Sequence, residues 1–387
     1  MKKLLFNLEA TQPIGNTKYH GGGIYGLIVF KKLVSIDPTC LSVYYNTEEF
    51  LDEEVLNIIN NNNIKTYDAS RVGMYDAARM EGGIIYSPVF NSTYTELPPK
   101  DIFMLVTQHG LRALEMPDDV YRKYIIDTSI SKLHRILRRI RHNLIPLKFK
   151  TYEKRQKFFS RENIKFITVS EHSKFSITTF YPQIRPDSIK VWYSPSTINH
   201  TLMLDNYVNQ YEKYFLIVSA NRWLKNGLRA IIAFDQLFSE RPDFIGSVVI
   251  TGIKDWSEVA IKIKNKNRFK LIGYVDELQL KGLYHYARFL CYPTLNEGFG
   301  YPPLEAMFEG TPVIASAIAS VTEVCGDSVL YFNPYSISEI KTRILQMDDE
   351  HFNNKYRLLG KKRQLYIENK QNSDLEDLCK FLLSYVL

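Results

Sequence analysis

At 387 residues, 45% hydrophobic and 24% charged, the chain is long enough to bury two cores of ordinary domain size, and its net charge of +7 is too modest to define a partner. Its four cysteines, Cys40, Cys291, Cys325 and Cys379, are scattered without metal-like pairing, which reads as reduced thiols in a cytoplasmic protein and excludes a disulfide scaffold. No apolar run approaches the roughly twenty residues of a membrane span, and the opening MKKLLFNLEATQPIG reads as a first strand rather than a signal peptide.

In chain order, the strand KKLLFNLEA leads through a loop to HGGGIYGLIVFKKL, a glycine-led helix start. The apolar runs LSVYYN, GGIIYSPVF, DIFMLVTQHG, IKFITVSEHS and IKVWYSP follow, with the Asn-rich NIINNNNI reading as a helix end and turn. The polar stretch SPSTINHTLMLDNYVNQ is the expected linker. After it, YEKYFLIVSANRWLKNGLRAIIAFDQL repeats the order strand, polar loop, helix, and SVVITGI, RFKLIGYV, ARFLCYPT, TPVIAS and SVLYF complete a second set of strands. Strands alternating with helical segments predict parallel sheets in both halves. The expected division is 1–200 and 201–372, with a helix over 373–387 packing back on the first domain.

The stretch NEGFGYPPLEAMFEGTPVIA carries the densest chemistry. Glu297 to Gly300 reads as a tight loop after the strand ARFLCYPT, Pro302 and Pro303 suit the first positions of a helix, and Gly310 suits its end. Glu297 then lies in a strand-to-helix loop and Glu305 early in the short helix, bracketing the place where parallel α/β sheets bind ligands. SANRWLKNG sets Arg222 and Lys225 at another strand's carboxyl end, where two cations suit a diphosphate leaving group whose charge grows as its bond breaks. TQHGLRALEMP places His109 and Arg112 after DIFMLV in the same kind of position. Gly21, Gly22 and Gly23 serve either a simple turn or close backbone approach to a phosphate at a helix N-terminus; neither the P-loop nor the dinucleotide-binding G-x-G-x-x-G spacing is present. A D-x-D metal clamp, a metal-ligand cluster and a G-x-S-x-G elbow are also absent, so the chemistry rests on carboxylates, cations and backbone amides.

Taken together, YPTLNEGFGYPPLEAMFEGTPVIAS and EVCGDSVLYFNP resemble the donor-site block of the family-4 retaining glycosyltransferases, with the E-x7-E pattern complete as Glu297 and Glu305. The likeness extends over LIGYVDELQLKGLYHYAR, RWLKN, FITVSEHSKFSI, TQHGLR and HGGGIYG, most of the chain. It implies the α/β GT-B fold, two Rossmann-like doubly wound domains facing a central cleft. It also implies transfer of a sugar from a nucleotide-diphosphate sugar to a glycan hydroxyl in cell-surface polysaccharide assembly on a lipid-linked acceptor; with no D-x-D and two cations at the diphosphate, no metal or other cofactor is expected. On this resemblance Glu297 sits beside the donor sugar, as nucleophile or as electrostatic stabiliser, and the amides of Gly298, Phe299 and Gly300 bind sugar hydroxyls. Glu305 accepts from the ribose hydroxyls, Arg222 and Lys225 hold the diphosphate, His109 reaches the anomeric region, and Gly21 to Gly23 line the phosphate and acceptor side. The chain departs from many relatives in carrying Gly110 after His109 instead of aspartate, and in the short spacing from Arg222 to Lys225. Rival readings are an epimerase or phosphorylase on the same fold, and a non-catalytic nucleotide-sugar-binding scaffold subunit.

One further segment stands out. Residues 131–159 hold ten basic residues against one acid, an excess larger than that of the whole chain, with Leu133, Ile136, Leu137, Ile140 and Leu144 at helical spacing. The reading is either an amphipathic helix with merely solvated charge or a surface resting on anionic lipid at the inner face of the cell membrane. Nucleic acid is not expected, since no aromatic stacking motif accompanies the charge.

Overall fold

The computed structural model describes residues 2–13, 20–90, 96–116, 119–125, 147–205 and 207–387. The chain divides into two compact units: Met1–Leu114, Lys148–Ser196 and Glu368–Leu387 form the first, Glu115–Leu147 and Thr197–Ile367 the second.

In the first unit the strands are β1 (Leu4–Asn7), β2 (Leu41–Tyr45), β3 (Lys65–Asp68), β4 (Ile84–Ser87), β5 (Phe103–Gln108), β6 (Ile164–Thr168) and β7 (Lys190–Val191). They pair in the order β3-β2-β1-β4-β5-β6-β7, every pair parallel. β1, β2 and β4 are buried at every position, as expected of central parallel strands covered on both faces. The covering helices are α1 (Gly21–Ile36), α2 (Glu53–Asn61), α3 (Met74–Met80), α4 (Arg112–Glu115), α5 (Leu147–Phe159) and α6 (Glu171–Phe180). Asp52 and Ser170 cap α2 and α6 with their side chains, which satisfies amides that the helix itself leaves open.

The second unit has β8 (Tyr214–Ile217), β9 (Ser247–Thr251), β10 (Phe269–Gly273), β11 (Leu290–Tyr292), β12 (Val313–Ser316) and β13 (Leu330–Phe332), ordered β10-β9-β8-β11-β12-β13 and again all parallel. Its helices are α7 (Gly227–Glu240), α8 (Glu277–Tyr286), α9 (Tyr301–Phe308), α10 (Ala319–Cys325), α11 (Ile337–Asp348) and α12 (Glu350–Leu383). Phe215 anchors the core, with ring centroids of Phe234, Phe244 and Phe289 all within 5.2 Å. Both units are Rossmann-like sheets, the expected fold class.

Two expectations shift in detail, and a third falls largely outside the described residues. The closing helix is expected over 373–387, yet α12 runs unbroken from Glu350. No proline interrupts it, and Gly360 within it lies so close to α9 that a Cβ would come 3.0 Å from Met307. From Glu368 onward the chain belongs to the first unit, where Asp374 accepts from the Tyr193 amide at 2.8 Å and the Trp192 and Phe381 rings lie 5.1 Å apart. The sequence reading keeps 1–200 together, but the described residues 115–125 group with the second unit, where Asp119 forms a buried ion pair with Arg229. The basic segment 131–159 lies largely outside the described residues, including all five of its spaced apolar positions; α5 covers only its last part.

Candidate functional site

An open parallel sheet leaves a crevice at the carboxyl ends of the two neighbouring strands whose connections leave in opposite directions. In the second unit those strands are β8 and β11. The chain after β8 enters the turn that carries Lys225, and the chain after β11 enters Thr294 to Gly300. Sheet order therefore joins two loops that are 72 residues apart in sequence. Lys225 Nζ lies 2.6 Å from Glu297 Oε1 and donates to the Tyr292 hydroxyl at 3.1 Å. The Thr294 hydroxyl donates to the same Glu297 oxygen at 2.8 Å. Both charged side chains are about nine-tenths buried. A buried charge in that position is tolerated only when paired and hydrogen-bonded, which this pair is.

The loop that follows is pinned from below. The Ser320 hydroxyl sits 3.0 Å from the Glu297 carbonyl and 2.9 Å from the Phe299 carbonyl. Across a trans peptide the carbonyl and the next amide point in opposite directions, so the Gly298 and Gly300 N–H groups face away from Ser320. Gly300 has φ +104°, and an added Cβ would meet nothing nearer than Val321 at 3.8 Å. Glycine is needed there for backbone conformation, not for space.

Glu305 is the fifth residue of α9, past the first turn, so its setting depends on side chains more than on the helix terminus. The Tyr284 hydroxyl donates to its Oε2 at 2.9 Å and the Thr197 hydroxyl to Oε1 at 3.1 Å. Burial raises its pKa above the ordinary carboxylate value, against the opposing pull of Tyr284, Thr197 and Lys225. Beside it lies a cavity of about 80 Å³ lined by Thr197, Asn199, Glu277, Lys281, Tyr284 and Glu305. Arg222 does not join this group. Its residue is exposed, and among the described residues its guanidinium has no ion-pair partner, whereas Lys225 is drawn inward.

In the first unit the strands at the equivalent point are β1 and β4, with β5 alongside. His109 follows β5, and its Nε2 lies 2.8 Å from the Pro88 carbonyl. A carbonyl only accepts, so Nε2 carries the hydrogen and Nδ1 is left as an acceptor. The ring meets Tyr25 edge-on at 4.7 Å. Burial, then Arg112 and His20, hold the imidazole at a pKa of about 4 despite the Pro88 bond, so it is neutral at pH 7. Behind it the hydroxyls of Tyr25, Tyr86 and Thr107 form a closed triangle of 2.9–3.2 Å.

Gly21, Gly22 and Gly23 form the first turn of α1, with His20 Nδ1 accepting from the Gly23 amide at 3.0 Å. A Cβ on Gly22 would lie 2.9 Å from Val89, and one on Gly23 2.9 Å from the Thr11 carbonyl, while Gly21 meets nothing within 4 Å. Two of the three glycines thus make room for protein neighbours. Gly26, which sequence reasoning passed over, does the same more severely, at 2.6 Å from Thr11 and 2.8 Å from Pro88, the residue whose carbonyl holds His109. Its signal was the fourth glycine of HGGGIYG, one helical turn after Gly23. Among the described residues no three His, Cys, Asp or Glu side chains form a metal-binding group, and no helix is long and apolar enough to cross a membrane.

Two doubly wound units of this kind define the GT-B class, and a glycosyltransferase structure from Rickettsia africae shares the fold, with a TM-score of 0.62 at 14% identity over 99% of this chain and 98% of that one. Residues 205–372, which hold Lys225, Glu297 and Glu305, match the family described as glycosyl transferases group 1. Among curated relatives it is similar to an O-antigen chain mannosyltransferase of Salmonella typhimurium, 27% identical over 59% of this chain and 56% of the relative. It is also similar to O-antigen chain mannosyltransferase B of Escherichia coli, 30% identical over 46% of this chain and 50% of the relative. The chain spans about half the length of the curated relatives it matches.

Proposed function

We propose that this chain is a retaining glycosyltransferase that moves a hexose from a nucleotide-diphosphate sugar to a glycan hydroxyl in O-antigen or similar surface-polysaccharide assembly. The observation that carries the reading is the buried Lys225–Glu297 pair at the β8/β11 crevice, one loop away from Glu305 and its cavity and inside the group 1 match. The relatives' names support mannose as the first sugar to test.

In this reading the donor's diphosphate draws Lys225 away from Glu297, and its non-bridging oxygens supply the charge that Glu297 supplied before. Glu305 accepts hydrogen bonds from the ribose, and the loop from Gly298 to Gly300 lies against the sugar hydroxyls. As the bond from C1 to the phosphate oxygen breaks, the acceptor oxygen bonds to C1 on the same face. The acceptor's proton passes to the departing phosphate, and Lys225 stabilises the charge left there. Glu297, released from Lys225, faces the cationic sugar as a stabiliser. No divalent ion is assigned a step, because the cation at the leaving group is the lysine itself. Acceptor recognition is assigned to the first unit, and a lipid-linked acceptor would put the enzyme at the inner face of the cell membrane.

The test is to screen nucleotide sugars for protection against thermal unfolding, since a ligand of the folded state raises apparent stability by mass action. The best donor is then incubated with and without lipid-linked glycan. Release of nucleoside diphosphate only with acceptor, and a product of unchanged anomeric configuration, supports the reading. An inverted product, or release of a rearranged nucleotide sugar, contradicts it.

A further inference from the structure

The residues that hold the Lys225 turn in place extend to a part of the chain far from it in sequence. Arg229, on the first turn of α7, forms a two-pronged bond to Asp119, with Nη1 and Nη2 each 2.8 Å from a carboxylate oxygen. Both side chains are almost fully buried, at 6% and 3% exposure. The guanidinium is flanked by the Tyr121 ring at 4.2 Å and the Tyr335 ring at 5.1 Å. Planar, paired and stacked, this arginine has a fixed orientation.

Arg229 Nη1 also donates to Asn226 Oδ1 at 2.9 Å. That contact fixes which end of the Asn226 amide faces where, and its Nδ2 then donates to the Pro293 carbonyl at 2.9 Å and the Pro334 carbonyl at 2.8 Å. Asn226 directly follows Lys225 and holds the left-handed backbone conformation, φ +54°, that turns the chain into α7. Pro293 directly precedes Thr294, whose hydroxyl holds Glu297. The Leu295 amide closes the same two loops by bonding to the Leu224 carbonyl at 2.8 Å.

Residues 119–125 lie along the outside of this arrangement. The Tyr124 carbonyl accepts from the Ala260 amide at 2.8 Å, Ile125 pairs with Val259 in an antiparallel bridge, and the Arg122 guanidinium lies 5.0 Å over the Trp223 ring. A few residues earlier, Glu115 accepts from the side-chain amide of Asn296, the neighbour of Glu297. The segment thus touches both loops that supply the cation and the carboxylate.

We propose that Asp119 is a positioning residue for sugar transfer: through Arg229 and Asn226 it holds the Lys225 turn against the Thr294–Glu297 loop. The idea rests on the glycosyltransferase reading above. Misplacing a charge by about 1 Å costs on the order of a hundredfold in rate, so loss of this latch shows in turnover more than in donor binding.

The test compares Asp119→Asn, which keeps the shape and removes the charge, with Asp119→Glu, which keeps the charge. Expected for Asp119→Asn is a fall in kcat of about a hundredfold with donor KM within about threefold. Amide hydrogen exchange is expected to quicken in 119–125 and 222–227 while β8 and β11 keep their protection, and Asp119→Glu should recover most of the rate. Unchanged kcat, or unchanged exchange in 222–227, overturns the proposal. Faster exchange throughout β8 to β13 with kcat and KM damaged together assigns Asp119 a merely structural role and also overturns it. If Asp119→Asn does not fold, Tyr121→Leu, which strips a ring from Arg229 and leaves the ion pair, is read by the same criteria at smaller amplitude. A wild-type enzyme inert with every nucleotide sugar would sink the transferase reading instead, leaving the exchange result to judge the latch.

Discussion

The two units use one sheet plan and fill its crevice with opposite chemistry. In the second unit the loops after β8 and β11 bring together an ammonium and a carboxylate, both buried and each neutralising the other. In the first unit His109, in the loop after β5, is kept uncharged by burial and is backed by the buried hydroxyls of Tyr25 on α1, Tyr86 on β4 and Thr107 on β5. A charged site that is already balanced can exchange one anion for another, as a diphosphate requires. A neutral site in which His109 Nδ1 is an acceptor suits a partner that offers hydroxyls and no charge. The fold is shared; the polarity of the crevice separates the proposed jobs.

The largest test of that difference is Lys225→Met. Turnover should fall on the order of a hundredfold or more through loss of a transition-state charge stabiliser. Because Glu297 is left buried without its cation, stability should drop by roughly 3–5 kcal/mol. Thermal unfolding and single-turnover rates check both, and a stable, active variant would break the comparison. Next is Glu305→Ala, expected to weaken nucleotide binding by about 1.5–3 kcal/mol for each charge-assisted bond lost. Titration calorimetry reads it directly, and wild-type affinity would remove Glu305 from the donor site.

In the first unit the expected effect is on pH. The unfolded chain binds the His109 proton near pH 6.5, but the folded ring resists it until about pH 4. Between those values the unfolded state carries more protons, so stability falls as pH falls, and the loss is complete near pH 4. It amounts to at most about 3 kcal/mol, less where solvent reaches the partly exposed ring. The difference between wild type and His109→Gln in unfolding free energy from pH 7 to 4 should show this slope; parallel curves would contradict a histidine held neutral by the fold. Smaller still is Gly26→Ala. Its Cβ would press on Thr11 and Pro88, at a cost of about 1–3 kcal/mol, partly offset by about 1 kcal/mol of helix propensity, with donor affinity unchanged. At the bottom of the scale, excess EDTA should leave turnover where it was.

What could be read from the sequence was what lies close together along it. The loop and short helix from Glu297 to Gly310 follow from two glycines, two prolines and an apolar run on either side, and α9 starts and stops where those residues place it. The pairing of Lys225 with Glu297 could not be read that way, because it depends on β8 and β11 being neighbours in a sheet whose order is set by burial across the whole unit. The same holds for Asp119 and Arg229, 110 residues apart. β3 escaped notice for a different reason: Lys65 and Thr66 are exposed, so the strand KTYD lacks the apolar pattern of its neighbours. Arg222 was grouped with Lys225 on charge, on their shared place after a strand and on the resemblance, but only one of the two side chains turns inward, and a three-residue spacing in a turn does not say which.

Calorimetric titration of the preferred nucleotide sugar into wild type, Lys225→Met, Glu305→Ala and His109→Gln shows which unit binds the donor. If the second unit is the donor site, the first two variants should lose roughly tenfold or more in affinity, about 1.4 kcal/mol, and His109→Gln should bind like wild type. Equal affinity in all four proteins, or a loss confined to the histidine variant, would contradict the account.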